Sequence, residues 1–366
     1  MNNKIKIYIF HPYSMLGGAD TSLSRLINNL DQNKYHINFI TLKKNNLKLK
    51  ENNKIKIIKI NSTRTIFSIT KIRKILKNDK NKKFKKYIFL SNQNFANIIS
   101  FFITFKLNWV KLCLIERNHL DEFKYNKSFK NFLIKILIKF LYKYADKVIG
   151  ISKKLSLDLK KFTKSEVQTV YNPAFDKDIY RLSKKKIFFK KTTQKIILNI
   201  ARLEKQKDHI TLLRGFKESL KIIDSVLIII GYGSQKKYVI EFIKENNLKE
   251  KVKLLDKVSN PHPYYKKANL FVLTSLYEGF GNVLAEAAMF KVPIISTDCN
   301  SGPREILMNG KGGDLIKIYD YKDLSKKIIS NLNHKNSKKI KLTKNNLKRF
   351  TIKRNIDSYQ RIFEEI

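Results

Sequence analysis

Short apolar runs alternate with amphipathic stretches along the first half of the chain. The apolar runs predict five strands, over residues 4–10, 36–42, 86–91, 110–116 and 147–152. Stretches with the 3.6-residue period of a helix follow these strands, and the first of them covers residues 20–30. Strands that alternate with helices are typical of a parallel sheet with helices on both faces. The pattern therefore predicts an α/β domain.

The alternation stops at 172–194, a less regular segment with a proline and lysine runs, and then starts again. The second set of predicted strands covers residues 195–200, 225–231, 251–255, 269–275 and 292–297. We predict two doubly wound domains, 1–171 and 195–345, joined by a linker at 172–194. Ligands of such sheets bind beyond the carboxyl ends of the strands, and a second domain would close the cleft over them.

A basic amphipathic segment, 127–147, lies near the end of the first half. Four of its lysines recur at multiples of four residues and share one helical stripe: Lys127, Lys135, Lys139 and Lys143. We expect the apolar residues of the other stripe to pack in the domain core: Phe132, Leu133, Ile136, Leu137 and Phe140. The lysine stripe leaves two roles open, contact with an anionic membrane or contact with a pyrophosphate.

The length and composition agree with two folded domains, but the charge is unusual. The chain has 366 residues, of which 43% are hydrophobic, more than disordered chains carry. Its 76 lysine and arginine residues against 30 acidic ones give a formal net charge of +46. This charge attracts polyanions such as nucleic acid, anionic membranes and phosphorylated small molecules. Codon drift in an AT-rich genome, with lysines scattered over solvated faces, accounts for it equally well.

The N-terminus and the cysteines favour a cytoplasmic protein. The N-terminal residues lack the apolar core and cleavage site of a signal peptide. No run reaches about 18 uninterrupted apolar residues, so we expect no membrane span. Cys113 and Cys299 lie far apart without metal-like spacing, which argues against a disulfide framework or a zinc site.

The stretch 277–297 combines a glycine loop and a small-residue helix with two carboxylates, Glu278 and Glu286. Glycosidases hold two carboxyls about 5 to 9.5 Å apart across one bond, whereas eight residues of loop and helix place these two at different depths of a long ligand. One carboxylate for a sugar and one for a ribose suits a sugar nucleotide. Gly279, Gly281 and the helix N-terminus would then face its diphosphate.

Other strand ends supply cations and glycines to this predicted donor site. Arg202 and Lys207 follow the first strand of the second half, where a guanidinium and an ammonium could neutralise a diphosphate. Gly231 lies at the next strand-to-helix turn, a weak signal because glycine there is usually steric. We expect Asn282 to cap the helix after the glycine loop.

A second turn suited to anions lies in the first half of the chain. Gly17 and Gly18 follow the first strand and precede a helix that Asp20 or Thr21 would cap. Neither this turn nor the one at Gly231 carries a complete dinucleotide-binding or P-loop signature, so those two readings of the chain are disfavoured.

Six segments of the chain form a recognisable set, in the order "GGADTSLSRLINNL", "YADKVIGIS", "VYNPAFD", "ARLEKQKD", "EGFGNVLAE" and "STDCNSGPREIL". Together they resemble retaining glycosyltransferase family 4. The resemblance implies a GT-B fold, two Rossmann-like domains facing across a cleft, and a final helix at 346–366 that returns to the first domain. It also implies a nucleotide-sugar donor, retained anomeric configuration and no required metal or other cofactor. Ala201, Pro173 and Ala174 depart from the family pattern in loops.

The resemblance also assigns roles to individual residues. Glu286 would hold the ribose hydroxyls, and Glu278 the donor sugar near the reacting carbon. Arg202 and Lys207 would bind the diphosphate and stabilise the charge of the leaving group. Close backbone approach to the donor would come from Gly18, Gly279, Phe280 and Gly281. Asn282 and Gly231 complete the donor set, and Gly17 is placed near the sugar or acceptor.

The family also places a histidine or similar polar group of the first domain near the donor sugar. The segment "IERNHLDEF" is its counterpart here, and it contains Glu116, Arg117, Asn118 and His119. We take His119 as the catalytic candidate and the other three as sugar-proximal or acceptor-binding. The wider "ERN" pattern leaves open which of the four plays this part.

These observations predict transfer of a hexose or N-acetylhexosamine from a nucleotide diphosphate to a saccharide. The donor would be a UDP-sugar such as UDP-GalNAc, UDP-GlcNAc or UDP-Gal. The acceptor would be a polyprenyl-diphosphate-linked, lipopolysaccharide or capsule oligosaccharide, with peripheral contact at the cytoplasmic face of the inner membrane. Two alternatives remain, a GT-B-like sugar-nucleotide epimerase and a basic nucleic-acid-binding protein, although no specific nucleic-acid motif is present.

Overall fold

The chain divides into two units in a computed structural model, which describes residues 2–14, 17–42, 47, 49, 54–80, 84–175, 178–186, 193–334 and 336–366. The first unit comprises Met1–Pro173 and Ile352–Ile366, and the second comprises Ala174–Thr351. The linker predicted at 172–194 lies partly outside the described residues, at 176–177 and 187–192. Its described part after Pro173 clusters with the second unit and includes a short helix.

The first unit contains a seven-stranded, all-parallel sheet in the order β3-β2-β1-β4-β5-β6-β7. Its strands are β1 Asn2–Phe10, β2 Tyr35–Thr41, β3 Ile55–Lys59, β4 Phe84–Ser91, β5 Val110–Glu116, β6 Lys147–Gly150 and β7 Val167–Thr169. Its first six α-helices are α1 Gly18–Asn29, α2 Ile69–Asp79, α3 Asn94–Thr104, α4 Glu122–Tyr125, α5 Phe129–Leu141 and α6 Lys153–Thr163. Two 3-10 turns, Thr65–Ser68 and Tyr142–Tyr144, accompany them.

The second unit contains a six-stranded, all-parallel sheet in the order β10-β9-β8-β11-β12-β13. Its strands are β8 Lys195–Ile200, β9 Ser225–Ile230, β10 Val252–Leu255, β11 Leu270–Leu273, β12 Ile294–Thr297 and β13 Asp314–Ile316. Its helices are α7 Asp178–Leu182, α8 His209–Ser219, α9 Lys236–Glu245, α10 His262–Lys267, α11 Asn282–Met289, α12 Pro303–Ile306, α13 Tyr321–Asn333 and α14 Ser337–Asn346. Its 3-10 turns are Lys205–Lys207 and Leu347–Phe350.

In both sheets the order of the strands reverses at one point, and the candidate sites lie there. In the first sheet β1 lies between β2 and β4, and in the second β8 lies between β9 and β11. The loops that leave two such neighbouring strands diverge to opposite faces, which opens a crevice at the carboxyl edge. The predicted fold class, α/β with two Rossmann-like doubly wound domains, is confirmed by this topology.

The buried strands are those that the apolar runs predicted, and all ten end within two residues of the prediction. Every residue of β9 and β11 is buried, because helices cover both faces of a parallel sheet. The sequence prediction missed β3, β7 and β13. Of these, β3 is mostly exposed, and β7 and β13 have only three residues each.

The last helix, α15 Ile352–Glu365, belongs to the first unit. The ring of Phe363 lies 6.0 Å from that of Tyr35, and Lys86 Nζ donates to the carbonyl of Glu364 at 2.7 Å. The helix is therefore shorter than the predicted 346–366, since residues up to Thr351 cluster with the second unit.

The orientation of α5 contradicts one expectation. Ile134 and Ile138 face the core, whereas Phe132, Leu133 and Phe140 are exposed. The prediction that Phe132, Leu133 and Phe140 pack in the core was wrong, because the helix carries two apolar stripes and the stripe with Ile134 and Ile138 is the buried one.

Among the described residues, no helix is both long enough and apolar enough to cross a membrane.

Candidate functional site

The loops after β8 and β11 join at the carboxyl edge of the second sheet. The amide of Leu276 donates to the carbonyl of Gln206 at 2.8 Å. Thr274 Oγ1 donates to the carbonyls of Lys207 and Asp208 at 3.0 and 2.9 Å. These bonds bring together two segments about 70 residues apart in the chain and hold their side chains at the reversal point of the sheet.

Lys207 and Glu278 form an ion pair at this point. Lys207 Nζ lies 2.5 Å from Glu278 Oε1, and the two side chains are 13% and 9% exposed. Ser275 Oγ donates to the same carboxylate oxygen at 2.7 Å. Charge-assisted hydrogen bonds in a partly buried setting are stronger than those on the surface, so the pair fixes the geometry of both groups.

Arg202 lies on the same loop as Lys207 and is linked to the other loop through Gln206. Arg202 Nη2 donates to Gln206 Oε1 at 3.4 Å, and Gln206 Nε2 donates to the carbonyl of Tyr277 at 2.8 Å. The structure therefore brings together three of the predicted donor residues, Arg202, Lys207 and Glu278. Sequence reasoning missed Ser275 and Gln206, whose residue types carry no pattern of their own.

The glycine loop leads into α11 through a left-handed turn at Gly281, whose φ is +88°. Gly281 is the N-cap residue and Asn282 is the first residue of the helix, so the prediction that Asn282 caps it was wrong. Glycine takes this φ at little cost, whereas an asparagine there would be strained. The helix N-terminus, the positive end of the helix dipole, thus follows closely after Glu278 and Gly279.

The backbone of this loop is buttressed from behind by the segment after β12. Ser301 Oγ donates to the carbonyl of Glu278, and Gly302 has a φ of +67°. A Cβ at Gly302 would lie 2.1 Å from the carbonyl oxygen of Phe280. The Phe280 ring is buried and lies 4.9 Å from Phe350, so only the backbone of Phe280 is placed to meet a ligand.

Glu286 lies on α11 in a second cluster. Its Oε2 accepts a hydrogen bond from Tyr265 at 3.2 Å, and the Tyr265 ring stacks on Phe290 at 5.8 Å. The carboxylate is therefore oriented by an aromatic pair that the sequence analysis did not identify.

Gly231 has a steric reason to be glycine. A Cβ at this position would lie 1.9 Å from the carbonyl oxygen of Ala201, so the loops after β8 and β9 could not approach each other. The close contact with Ala201 explains the glycine without any ligand, so the donor-binding role of Gly231 stays a prediction.

The turn between β1 and α1 forms hydrogen bonds with side chains of the first unit. Gly17 is the N-cap residue of α1, and its amide donates to Asp20 Oδ2 at 3.1 Å. Neither Asp20 nor Thr21 is the N-cap, because the helix already begins at Gly18. The other Asp20 oxygen lies 2.7 Å from His11 Nε2. Burial opposes ionisation of Asp20, but the hydrogen bond and charge of His11 lower its pKa below the usual value.

Arg117 is buried at the carboxyl edge of the first sheet. Its Nη1 donates to Asn172 Oδ1 at 2.8 Å, and its Nε donates to Asn92 Oδ1. Asn92 Nδ2 in turn lies 2.8 Å from His11 Nδ1. Burial lowers the pKa of Arg117, since the guanidinium lies away from water among neutral amides. The predicted sugar-proximal arginine is thus bound inside the domain.

Glu116 is equally buried and is bound by its neighbours. Its Oε1 accepts the amides of Arg117 and Asn118 at 2.9 and 3.2 Å, and its Oε2 accepts the hydroxyl of Tyr142 at 2.7 Å. Burial raises the pKa of Glu116 to about 7 despite these bonds. The side chain of Asn118 is half-buried and donates to Glu122 Oε2 at 3.0 Å.

His119 lies between two carboxylates. Its Nε2 is 2.9 Å from Asp158 Oδ2, and its Nδ1 is 3.2 Å from Asp121 Oδ2. Burial alone would lower the pKa of His119, but the two carboxylates raise it above the usual value. Both ring nitrogens are engaged within the unit and the side chain is 4% exposed, so its catalytic role stays a prediction.

No cluster of three or more His, Cys, Asp or Glu side chains that could hold a metal ion occurs among the described residues. The cations at the second sheet are protein side chains, Arg202 and Lys207. That the reaction requires no metal stays a prediction from the sequence.

A family comparison matches part of the second unit. Residues 181–349 match the glycosyl transferases group 1 family. The matched region contains the Lys207–Glu278 pair, the glycine loop and α11.

Two curated relatives are similar to parts of this chain. A glycosyltransferase of Methanocaldococcus jannaschii is 34% identical over 212 residues, 55% of this chain and 51% of that protein. The N-acetylgalactosamine-N,N'-diacetylbacillosaminyl-diphospho-undecaprenol 4-alpha-N-acetylgalactosaminyltransferase of Campylobacter jejuni is 30% identical over 236 residues, 64% of this chain and 62% of that protein. The chain thus spans between half and two thirds of the length of these relatives.

Solved structures match the whole chain in fold. A glycosyltransferase of Rickettsia africae superposes with a TM-score of 0.81 at 17% identity, over 99% of this chain and 98% of that one. The Anabaena protein HepE, in complex with UDP-glucose, superposes with a TM-score of 0.80 at 15% identity, over 99% and 100%. The chain has the GT-B fold of these glycosyltransferases, as the sequence resemblance predicted.

Proposed function

We propose that the protein is a retaining glycosyltransferase that uses a UDP-sugar. It transfers a hexose or N-acetylhexosamine to a saccharide, and the acceptor is an oligosaccharide carried on a polyprenyl diphosphate or destined for a surface polysaccharide. The Campylobacter relative is named for a diphospho-undecaprenol acceptor, and the Anabaena structure holds UDP-glucose. Both support this choice of substrates.

The observation that carries the proposal is the Lys207–Glu278 pair, which lies where the strand order of the second sheet reverses. Arg202 lies on the same loop as Lys207 and donates a hydrogen bond to Gln206. The neighbouring α11 begins at Asn282, so two cations and the positive end of a helix dipole lie at the same strand ends. A diphosphate is the anion that this arrangement suits, and a carboxylate beside it suits the hydroxyls of a sugar.

The geometry supports a separate role for each of these side chains during transfer. The acceptor hydroxyl attacks the anomeric carbon from the face that the phosphate leaves, the bond from that carbon to the phosphate oxygen breaks, and the hydroxyl proton passes to a phosphate oxygen. Arg202 and Lys207 stabilise the charge that develops on the leaving UDP. Glu278, held by Lys207 and Ser275, orients the sugar, and Glu286, held by Tyr265, binds the ribose.

A panel of nucleotide sugars, each incubated with and without lipid-linked oligosaccharides, tests the proposal. We expect UDP release and a mass increase of one sugar with one UDP-sugar, and an anomeric linkage of the same configuration as in the donor. The Glu286→Ala and Arg202→Ala proteins should lose UDP release. The control Lys205→Ala, which changes an exposed lysine three residues after Arg202, should keep it.

Three results would contradict the proposal. Interconversion of the UDP-sugar without acceptor would identify an epimerase. Inverted configuration in the product would exclude the retaining mechanism. Salt-resistant, sequence-selective binding of nucleic acid in the absence of any sugar transfer would favour the nucleic-acid-binding alternative.

A further inference from the structure

One surface of the first unit exposes large apolar side chains. On α5, Phe129 is 77% exposed, Phe132 59%, Phe140 55% and Leu133 44%. Phe102 on α3 is 42% exposed, and Phe105, directly after α3, is 51% exposed. We call these six residues the aromatic face. Single exposed apolar residues are ordinary on protein surfaces, but several on adjacent helices mark an interaction site.

The two helices of the aromatic face are in contact. Helix α3 packs against α5, and also against α2 and the turn Thr65–Ser68, which itself exposes Phe67. The Phe101 ring lies 5.7 Å from Phe105 and 5.9 Å from Tyr144, which follows α5. Arg73 on α2 donates to the carbonyl of Phe105 at 2.8 Å. Phe101 therefore joins the end of α3 to the end of α5, and the exposed rings lie on elements that pack against each other.

The exposed stripe of α5 is separate from the stripe that the fold needs. Ile134 and Ile138, four residues apart, are buried in the core. Phe129, Phe132, Leu133 and Phe140 are spaced three, four and eleven residues from the first, which places them together on the opposite side of the helix. A domain helix requires one apolar stripe, so the second has no role in the core of this unit.

Positive charges predominate in the segments that carry the aromatic face, and the acidic residues that border these segments in the chain include Asp79, Glu122 and Asp146. The chain segments 65–78, 94–111 and 126–145 contain no aspartate or glutamate and eleven lysines and arginines. Lys135 and Lys139 are exposed along one edge of the α5 stripe. Lys143 Nζ lies 5.0 Å above the ring of Tyr144, and Lys106 Nζ 5.7 Å above that of Phe105. Each ammonium thus lies beside an apolar ring.

We propose that the aromatic face binds the surface of an anionic phospholipid bilayer. Its rings would enter the boundary between headgroups and acyl chains, and its lysines would contact the lipid phosphates. A second copy of the chain is a poor occupant, because two such faces, each with a large excess of positive charge, would repel each other. This contact does not depend on the proposed transferase activity, and it is measured without substrate.

Vesicle flotation with the full chain tests the proposal. We expect the parent to float with vesicles that contain phosphatidylglycerol and to remain behind with phosphatidylcholine alone. The triple change Phe129→Ser, Phe132→Ser and Phe140→Ser should weaken binding about 100-fold. The matched control changes three exposed apolar residues of the second unit, Ile222→Ser, Tyr238→Ser and Ile240→Ser, and should bind like the parent.

Charge and insertion are separated by two further variants. Lys135→Glu with Lys139→Glu should weaken binding at least about 30-fold, whereas Lys244→Glu with Lys249→Glu on the second unit should weaken it far less. The chain has one tryptophan, so a Phe132→Trp variant provides an added emission signal that should shift to shorter wavelength on anionic vesicles. A Tyr238→Trp variant should show no such shift.

Two results would overturn the proposal. The first is a parent protein that does not float with anionic vesicles, or that floats equally with neutral ones. The second is a triple serine variant that floats as well as its second-unit control, because the lysines of the whole chain would then suffice. All of the substituted residues are exposed, so thermal melting should show folded proteins throughout.

Discussion

The carboxyl edges of the two sheets have the same topology but use their charges differently. In the second unit, Lys207 and Glu278 pair with each other at 2.5 Å and keep some exposure, beside a helix N-terminus. In the first unit, Arg117 and Glu116 are almost fully buried and bond to amides and a tyrosine hydroxyl of the same unit. Charged residues at a strand end therefore form two different arrangements, an ion pair that keeps some exposure in the second unit and a buried network with amides and a hydroxyl in the first.

The largest expected effect comes from breaking the ion pair of the second unit. Lys207→Ala should lower kcat/KM by about 10³-fold, because the leaving UDP loses a positioned cation. The measurement is steady-state UDP release, with thermal melting to confirm folding. Lys205→Ala on the same turn serves as the control, and equal rates in the two variants would contradict the role of Lys207.

Removing the buried arginine of the first unit should instead affect stability. Arg117→Met leaves the side-chain oxygens of Asn92 and Asn172 without their donor and should lower the free energy of unfolding by about 4 kcal/mol. Urea unfolding measures this, with the exposed Arg64→Met as control. An unchanged unfolding midpoint would show that the buried network contributes nothing to the fold.

The pH dependence of stability distinguishes the first edge further. The pKa of Glu116 is raised by burial from 4.5 to about 7, so the folded protein holds the proton more tightly than the unfolded chain. This contribution to stability is complete below about pH 4.5 and is lost as pH rises through about 7. Relative to the parent, Glu116→Gln should therefore gain about 3 kcal/mol between these limits.

Thermal or urea unfolding across this pH range checks the prediction. The exposed Glu365→Gln variant should follow the parent at every pH. If Glu116→Gln also follows the parent, the buried carboxyl does not titrate as its surroundings require.

The smallest expected effect concerns the orientation of Glu286. Tyr265→Phe removes one hydrogen bond of 3.2 Å and keeps the ring stacked on Phe290. The KM for the UDP-sugar should rise about fivefold with kcat unchanged, which corresponds to about 1 kcal/mol of uniform binding. The neighbouring Tyr264→Phe is the control, and a fall in kcat instead would move Glu286 from ribose binding to the reacting centre.

Much of the fold was predictable because buried parallel strands are continuous apolar runs. That signal located ten strands and failed for β3, which is mostly exposed, and for β7 and β13, which are too short to show a pattern. The orientation of α5 was not predictable, since both of its stripes are apolar and only packing against α3 and α6 selects one. The N-cap residues of α11 and α1 were mispredicted as Asn282 and as Asp20 or Thr21, because backbone conformation at Gly281 and Gly17 sets where these helices begin.

The candidate site divides in the same way. The sequence by itself determined that Arg202, Lys207 and Glu278 follow predicted strands, because an apolar run and the residue types after it are local properties. Only the tertiary structure decided that Lys207 meets Glu278 and that Gln206 and Ser275 hold them in place. It also decided that Arg117 and Glu116 are bound inside the first unit, since burial and hydrogen-bond partners depend on residues distant in the chain.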